Sequence, residues 1–396
     1  MKISKHDYKW PLMYNNITDE DIKSLVDFLS QQPMPILTNS KKVIEFEKLW
    51  SEWLGIKYSV FVNSGSSANT ITTLILKHLF RDKNEIIVPP LTWVSDIASI
   101  LHAGLNPVFS DINLKNLALD GSLLESKITE KTSAIFLTHI LGYNGITDEI
   151  LDICKRNKVA LVEDVCESHG ATFKGKKLGT FGLISNFSFY YAHHMTSIEG
   201  GMICTDDQNV YELARILRSH GLLRESTDMV LKQYVIDANP DLNKDFIFVY
   251  PAHNMRSTEI NAVLAINQLN RLDNNNEKRA HSLNVFLDNL DPKKYFVEFD
   301  REGNSNYAFT LLLKSPDFEL RNKIEKLMYE KSIEFRRGMS GGGNQLRQPY
   351  LKDLFCGEYK NHPVCDHVHH FGWYIGNYPD LEEEKIIKLT NILNNI

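Results

Sequence analysis

Two adjacent imidazoles, His193 and His194, stand between Phe187-Ser188-Phe189-Tyr190-Tyr191-Ala192 and Met195-Thr196-Ser197-Ile198-Glu199-Gly200-Gly201. Imidazole exchanges its proton near neutral pH, so such a residue can serve as a general base. Upstream, Val162-Glu163-Asp164-Val165-Cys166-Glu167-Ser168-His169-Gly170 sets several carboxylates at the end of an apolar run. An acid placed there can hold a protonated pyridine nitrogen and keep that ring electron-withdrawing; the ordinary alternative is a helix-capping acid. Ser64-Gly65-Ser66-Ser67-Ala68-Asn69 is a small-residue turn. If it opens a helix, its N–H groups and hydroxyls form a phosphate cradle; otherwise it is only a turn. Pro90-Leu91-Thr92-Trp93 brings an aromatic ring to a neighbouring strand end, with a core tryptophan as the competing reading.

These residues need a scaffold, and the hydrophobic pattern supplies one. Helical patterns run over Glu20–Leu29 and Val43–Leu54, the second ended by Gly55. Strands are expected at Tyr58–Val62, Glu85–Val88, Pro107–Asp111, Ser133–Thr138 and Val159–Val165, with helices between them, one reaching Leu79, one His102 and one starting near Asp148. Such alternation implies an α/β fold with a mostly parallel sheet covered by helices. Ligands of these sheets bind beyond the carboxyl ends of the strands, where the residues above are placed. Near Asn270 the pattern changes. A long polar helix is expected over Glu259–Leu290, then an α+β segment with a strand at Tyr307–Leu313 and a helix at Glu319–Lys331. The expected division is a large domain over 1–270 and a small C-terminal domain over 271–396.

At 396 residues and 43% hydrophobic, the chain can bury a full core. The net charge of -6 is spread over mixed-sign segments. No basic stripe points to nucleic acid. No window approaches the ~20 apolar residues of a membrane helix, and Met1–Trp10 carries no apolar run fit for a signal peptide. The five cysteines (Cys154, Cys166, Cys204, Cys356 and Cys365) show no paired framework, as expected of a reduced cytoplasmic protein.

Taken together, the motifs resemble the DegT/DnrJ/StrS family of sugar aminotransferases and dehydratases. That family's hallmark is Ser-Phe, a Schiff-base lysine five residues after the serine, then Glu-Gly-Gly. Here Ser188-Phe189 and Glu199-Gly200-Gly201 are present, and the position five after Ser188 is His193. Asn254-Met255-Arg256 with Gln268-Leu269, and Arg218-Ser219-His220-Gly221, resemble further family blocks, and the likeness extends from about residue 34 to the C-terminus. It implies the type I aminotransferase fold, with a seven-stranded sheet in the large domain, and pyridoxal 5'-phosphate or pyridoxamine 5'-phosphate (PMP) as cofactor. By resemblance, Asp164 pairs with the pyridine nitrogen, Trp93 stacks on the ring, and Gly65, Ser66 and Ser188 hold the phosphate. Asn254 would reach the phosphate of a neighbouring subunit's cofactor in a homodimer with shared sites. Arg256 and His220 would meet substrate.

Lysine forms a Schiff base with the cofactor aldehyde and shuttles protons. Histidine forms no such stable link but still moves protons. Within the family, His-His after Ser-Phe resembles the subset that removes a sugar's C3 hydroxyl. The resemblance therefore implies a PMP-dependent nucleotide-sugar 3-dehydratase with His193 as base and Glu167 beside the ring hydroxyl. The expected substrate is a 4-keto-6-deoxy nucleotide sugar, GDP-4-keto-6-deoxy-D-mannose first among them, with L-glutamate regenerating PMP, for deoxysugar and O-antigen synthesis. The scattered cysteines argue against an iron–sulfur cluster. Alternatives are a 4-aminotransferase, a degenerate enzyme with merely packed histidines, or a non-catalytic regulator that binds cofactor or sugar.

Two stretches stay outside this scheme. Cys365-Asp366-His367-Val368-His369-His370 suggests a metal site but has no closed four-ligand spacing, and a short helix before the strand Tyr374-Ile375 fits it better. Arg336-Arg337-Gly338 with Gly341-Gly342-Gly343-Asn344-Gln345-Leu346-Arg347 reads equally as a binding loop for a diphosphate or carboxylate and as a solvated turn.

Overall fold

Short apolar runs bounded by turn residues become the strands of one sheet: β1 (Tyr58–Val62), β2 (Glu85–Val88), β3 (Asn106–Phe109), β4 (Thr132–Thr138), β5 (Ala160–Asp164), β6 (Ile184–Ser188) and β7 (Gly201–Thr205). Their spatial order is β1-β7-β6-β5-β4-β2-β3. The computed structural model describes residues 10–396, so the expectation for the N-terminal stretch falls, except at Trp10, outside the described residues. Strand β7 runs antiparallel to both β1 and β6, and the other pairings are parallel. All seven residues of β4 are buried, as expected of a strand covered on both faces. The sheet is thus mostly parallel, and its parallel strands end along one edge.

Helices α1 (Asp19–Leu29), α2 (Lys41–Leu54), α3 (Gly65–Leu79), α4 (Val94–His102) and α5 (Asp148–Asn157) follow the expected pattern within a residue or two. Thr18 and Asp21 form a reciprocal capping box on α1, and Gly55 ends α2 in the left-handed conformation. Further on, α6 spans Gln208–Arg218 and α7 spans Met229–Ala238. The single long helix expected over Glu259–Leu290 is two: α8 (Glu259–Leu269) and α9 (Leu272–Asp288). The physical reason lies in their cores. Ala262 and Ala265 of α8 pack with the large sheet, whereas Leu283, Phe286 and Leu287 of α9 pack with the C-terminal elements. At the break, Arg271 turns its guanidinium onto Asp21, at 2.5 and 3.0 Å.

A three-stranded antiparallel sheet follows, made of β8 (Ala308–Leu312), β9 (Phe335–Arg337) and β10 (Gly372–Gly376), with β10 in the middle. Helices α10 (Phe318–Glu330), α11 (Pro363–Phe371) and α12 (Glu383–Asn394) accompany it. Its apolar cluster also takes in Trp10, Leu91, Ile112 and Tyr143 from the earlier part of the chain. The two sheets are therefore joined by an apolar seam, and residues 270 and 271 fall at the break between α8 and α9. Among the described residues, no helix is long and apolar enough to cross a membrane.

Candidate active site

The carboxyl ends of β1, β5 and β6 meet at a turn of small residues. Ser64 caps α3 by accepting the Ser67 N–H at 3.1 Å. A Cβ at Gly65 would lie 2.7 Å from Ser188 Cβ and 3.0 Å from Cys166 Sγ. Only glycine lets β6 and the turn after β5 approach this helix start so closely. On the other side, a Cβ at Gly201 would lie 2.3 Å from the Ser64 carbonyl oxygen and one at Gly200 would lie 2.3 Å from Ser197 Oγ, which explains the paired glycines after Glu199. The N-terminus of α3, with exposed Ser66, thus stands beside the Ser188 hydroxyl, an arrangement of donors that suits an anion.

Asp164 ends β5 and is buried. Its Oδ1 accepts from the Cys166 N–H at 2.8 Å, and its Oδ2 from Asn69 Nδ2 at 3.1 Å. It caps no helix. Trp93, at the start of α4, is 51% exposed. The competing reading of a core tryptophan is thereby excluded.

His193 closes a tight turn after β6, its N–H bonded to Tyr190 O at 3.0 Å. Its Nδ1 lies 3.0 Å from the Ser188 carbonyl oxygen. A carbonyl only accepts, so Nδ1 carries the hydrogen and Nε2 of the neutral ring is the lone-pair nitrogen. Burial pulls the His193 pKa below its ordinary value, which keeps the ring neutral and the lone pair available. His194 is different. It is fully buried, its Nε2 meets Ser305 O, and its ring stacks on His169 at 5.1 Å. Two sequence neighbours therefore have separate duties, one facing the site and one packed beneath it.

Glu167 is buried and accepts from Leu141 N–H at 2.9 Å and Ser340 Oγ at 2.7 Å. Burial pushes its carboxyl up to about 7. The Tyr307 ring lies 5.8 Å from that of His193, centroid to centroid.

The profile of the DegT/DnrJ/EryC1/StrS aminotransferase family matches residues 15–394. The chain belongs to this family. It is 32% identical to the GDP-4-keto-6-deoxy-D-mannose 3-dehydratase of Yersinia pseudotuberculosis, over 90% of this chain and 92% of that protein. Among solved structures it resembles the E. coli GDP-4-keto-6-deoxy-D-mannose-3-dehydratase with bound hydrated PLP. There the TM-score is 0.86 and the identity 28%, covering 98% of this chain and 99% of that one. A GDP-4-keto-6-deoxymannose-3-dehydratase with a trapped PLP-glutamate geminal diamine is similar too, with TM-score 0.83 and 27% identity over 97% of this chain and all of that one.

Within this DegT/DnrJ/EryC1/StrS member the expected site residues fall into two groups. Gly65, Ser66, Trp93, Asp164, Glu167, Ser188 and His193 gather along one sheet edge. His220, Asn254 and Arg256 form another group, tied by the backbone: His220 N–H donates to His253 O at 3.0 Å, Asn254 bridges Ser219, and Arg256 bridges Val62. His220 and Asn254 are exposed there. The motif residue Arg218 is structural: it is buried and donates to Glu47 at 2.6 Å and to Phe61 O at 3.0 Å.

Sequence reasoning missed Asn69, Asp96, Tyr307 and Ser340. Asn69 ends the small-residue motif and could have been read there, and Asp96 lies just beyond Trp93 in α4; Tyr307 and Ser340 come from parts of the chain distant in sequence. The loop Arg336–Arg347 is not a solvated turn. Ser340, Asn344 and Gln345 are buried, Gln345 N–H donates to Pro90 O at 2.8 Å, and Arg347 pairs with Asp366 through two bonds of 2.5 and 2.7 Å. In the Cys365–His370 stretch, Cys365 is core, Asp366 serves Arg347, and His367 Nε2 meets Leu313 O at 2.8 Å. No group of three metal-ligating side chains occurs among the described residues.

Proposed function

We propose that this chain is a pyridoxamine phosphate-dependent nucleotide-sugar 3-dehydratase. It removes the C3 hydroxyl of a 4-keto-6-deoxy nucleotide sugar, with GDP-4-keto-6-deoxy-D-mannose the leading substrate and L-glutamate renewing the amine form of the cofactor. The observation that carries this reading is His193: it stands where the family motif has lysine, with Nδ1 tied to the Ser188 carbonyl and Nε2 left as a base. The named activities of the relatives support it.

The residues fit a phosphorylated pyridine. Gly65, Ser66 and Ser188 would hold the phosphate, Asp164 the ring nitrogen, and the exposed face of Trp93 would cover the ring. When bound, the cofactor supplies an amine for the 4-keto carbon and an electron sink for departure of the C3 hydroxyl. His193 Nε2 would take the proton from the cofactor's aminomethyl carbon as the C3 hydroxyl leaves as water, and would return one there when glutamate renews the amine. Glu167, titrating near 7, can donate to or accept from a ring hydroxyl at physiological pH. Asn254 and Arg256, exposed or half-buried in the single chain, act in the site of a second copy within a homodimer, with His220 beside them on the substrate side. A cytoplasmic setting agrees with five free cysteines, and the product would serve O-antigen deoxysugar synthesis.

The test is a panel of GDP-, CDP- and dTDP-linked 4-keto-6-deoxy sugars incubated with PMP and glutamate. A 3-deoxy product with ammonia released is expected. A product that keeps nitrogen at C4 would make the chain an aminotransferase, and no turnover would favour a binding protein.

A further inference from the structure

Asp96, a buried carboxyl in the first turn of α4, lies behind Asp164. Its Oδ1 accepts from Asn69 Nδ2 at 2.6 Å, and the same amide nitrogen reaches Asp164 Oδ2 at 3.1 Å. Its Oδ2 accepts from Thr138 Oγ1 at 2.8 Å and from Thr92 Oγ1. The Asn69 amide cannot flip without loss, because Asn186 Nδ2 donates to its oxygen at 2.8 Å and Thr72 orients Asn186 in turn, at 2.9 Å. The two carboxyls thus converge on one amide nitrogen.

The pair is buried and meets no cationic side chain among its described hydrogen-bond partners. The other titratable groups facing the pair are Cys166 and Glu167 beyond β5, His193 beyond β6, and Tyr350 after the Arg336–Arg347 loop. His193 is the one that could become positive, and burial holds it neutral. Two carboxylates so placed cannot both be ionised, since desolvation and like-charge repulsion act together. Burial first, then the Asp164 charge, drives Asp96 well above the usual carboxylate range.

We propose that Asp96 is a neutral carboxylic acid that donates a hydrogen bond to Asp164, so that the pair presents a single negative charge to the cofactor's ring nitrogen. Asp96 is thus a positioning residue acting through Asp164. The inference rests on the proposed role of Asp164, and the experiment separates the two. Infrared spectra of the cofactor-free protein at neutral pH should contain a protonated-carboxyl stretch that Asp96→Asn removes. PMP affinity, followed by fluorescence across pH, should fall less in Asp96→Asn than in an apolar variant, because its amide can still donate to Asp164 although its nitrogen then faces the Asn69 N–H that Asp96 Oδ1 accepts. Asp96→Leu or Asp96→Ala, lacking any donor, should weaken PMP by about tenfold or more, the value of one hydrogen bond to a charged group. They should also displace the profile, with thermal unfolding confirming that each variant is folded. A wild-type spectrum without that band would overturn the proposal, as would an Asp96→Asn variant as weak as Asp96→Leu. Unaltered PMP binding in Asp164→Asn would overturn the ring-nitrogen role instead, while the band still reports on the pair.

Discussion

Ser340 donates a 2.7 Å hydrogen bond to Glu167, tying the glycine-rich loop after β9 to the residues that follow β5. The bond favours the ionised carboxylate and so holds the Glu167 pKa down, against the burial that raises it to about 7. Removing it with Ser340→Ala should therefore move that ionisation upward by about one unit, allowing for partial replacement by water. The pH profile of dehydration should show its near-neutral inflection displaced to higher pH, and Glu167→Gln should abolish that inflection. An inflection unmoved by either change would detach Glu167 from the reaction.

Replacing His193 tests the base directly. His193→Asn should slow dehydration and the glutamate-driven renewal of the amine cofactor alike, by ~10²–10⁴-fold, while leaving PMP binding intact. His194 is buried against Ser305 and His169 and should not substitute for it. His193→Lys restores an amine at the family position. Borohydride should then fix the cofactor covalently to the substituted position, whereas the wild-type chain should retain no reduced pyridoxyl group on any lysine by peptide mass spectrometry.

Mixing experiments address the second group of residues. If Arg256 serves the site of a second copy, inactive His193→Asn chains and inactive Arg256→Ala chains should recover activity when hybrids form. In each hybrid one site pairs an intact His193 with an intact Arg256 from the other chain, and the second site carries both changes. Confirmed hybrids without any activity would count against shared sites.

Acid stability should be governed by imidazoles beneath the site. His169 and His194 are fully buried, and burial lowers both pKa values well below the ordinary imidazole value. Below about pH 6.5 the unfolded chain binds protons that the native chain does not. Stability is then present above that pH and lost on acidification, at about 1.4 kcal/mol per pH unit for each such proton. His169 sits among the rings of Trp50, Phe187 and Phe189, at 5.7, 5.7 and 5.6 Å. His169→Phe should therefore flatten the dependence of the urea midpoint on pH between 6.5 and 5 by about one proton. An equally steep slope in that variant would assign the effect to other groups.

Much of this was legible in the sequence because it is local. Periodicity and turn chemistry located β1, β2, β4 and α1 to α5 within a few residues, and the family motif brought attention to Ser188, His193 and Glu199-Gly200-Gly201 at once. The exception among elements was the apparent helix Glu259–Leu290. Its hydrophobic pattern is continuous enough for one helix, and nothing local announces that its halves answer to different cores.

What the chain alone determined is the kind of groups available and which strand end each one follows, since strand and helix periods are set by neighbouring residues. Tertiary structure decided their states. It made His193 and His194 unlike by giving one a carbonyl at Nδ1 and the other a buried stack, and it left Trp93 exposed, excluding the competing reading of a core tryptophan. It also brought Ser340, Tyr307 and Asp96 to Glu167 and Asp164 from distant positions. Protonation depends on desolvation and on charges within a few ångströms, and those distances exist only once the loop after β9 and the start of α4 have packed against the sheet.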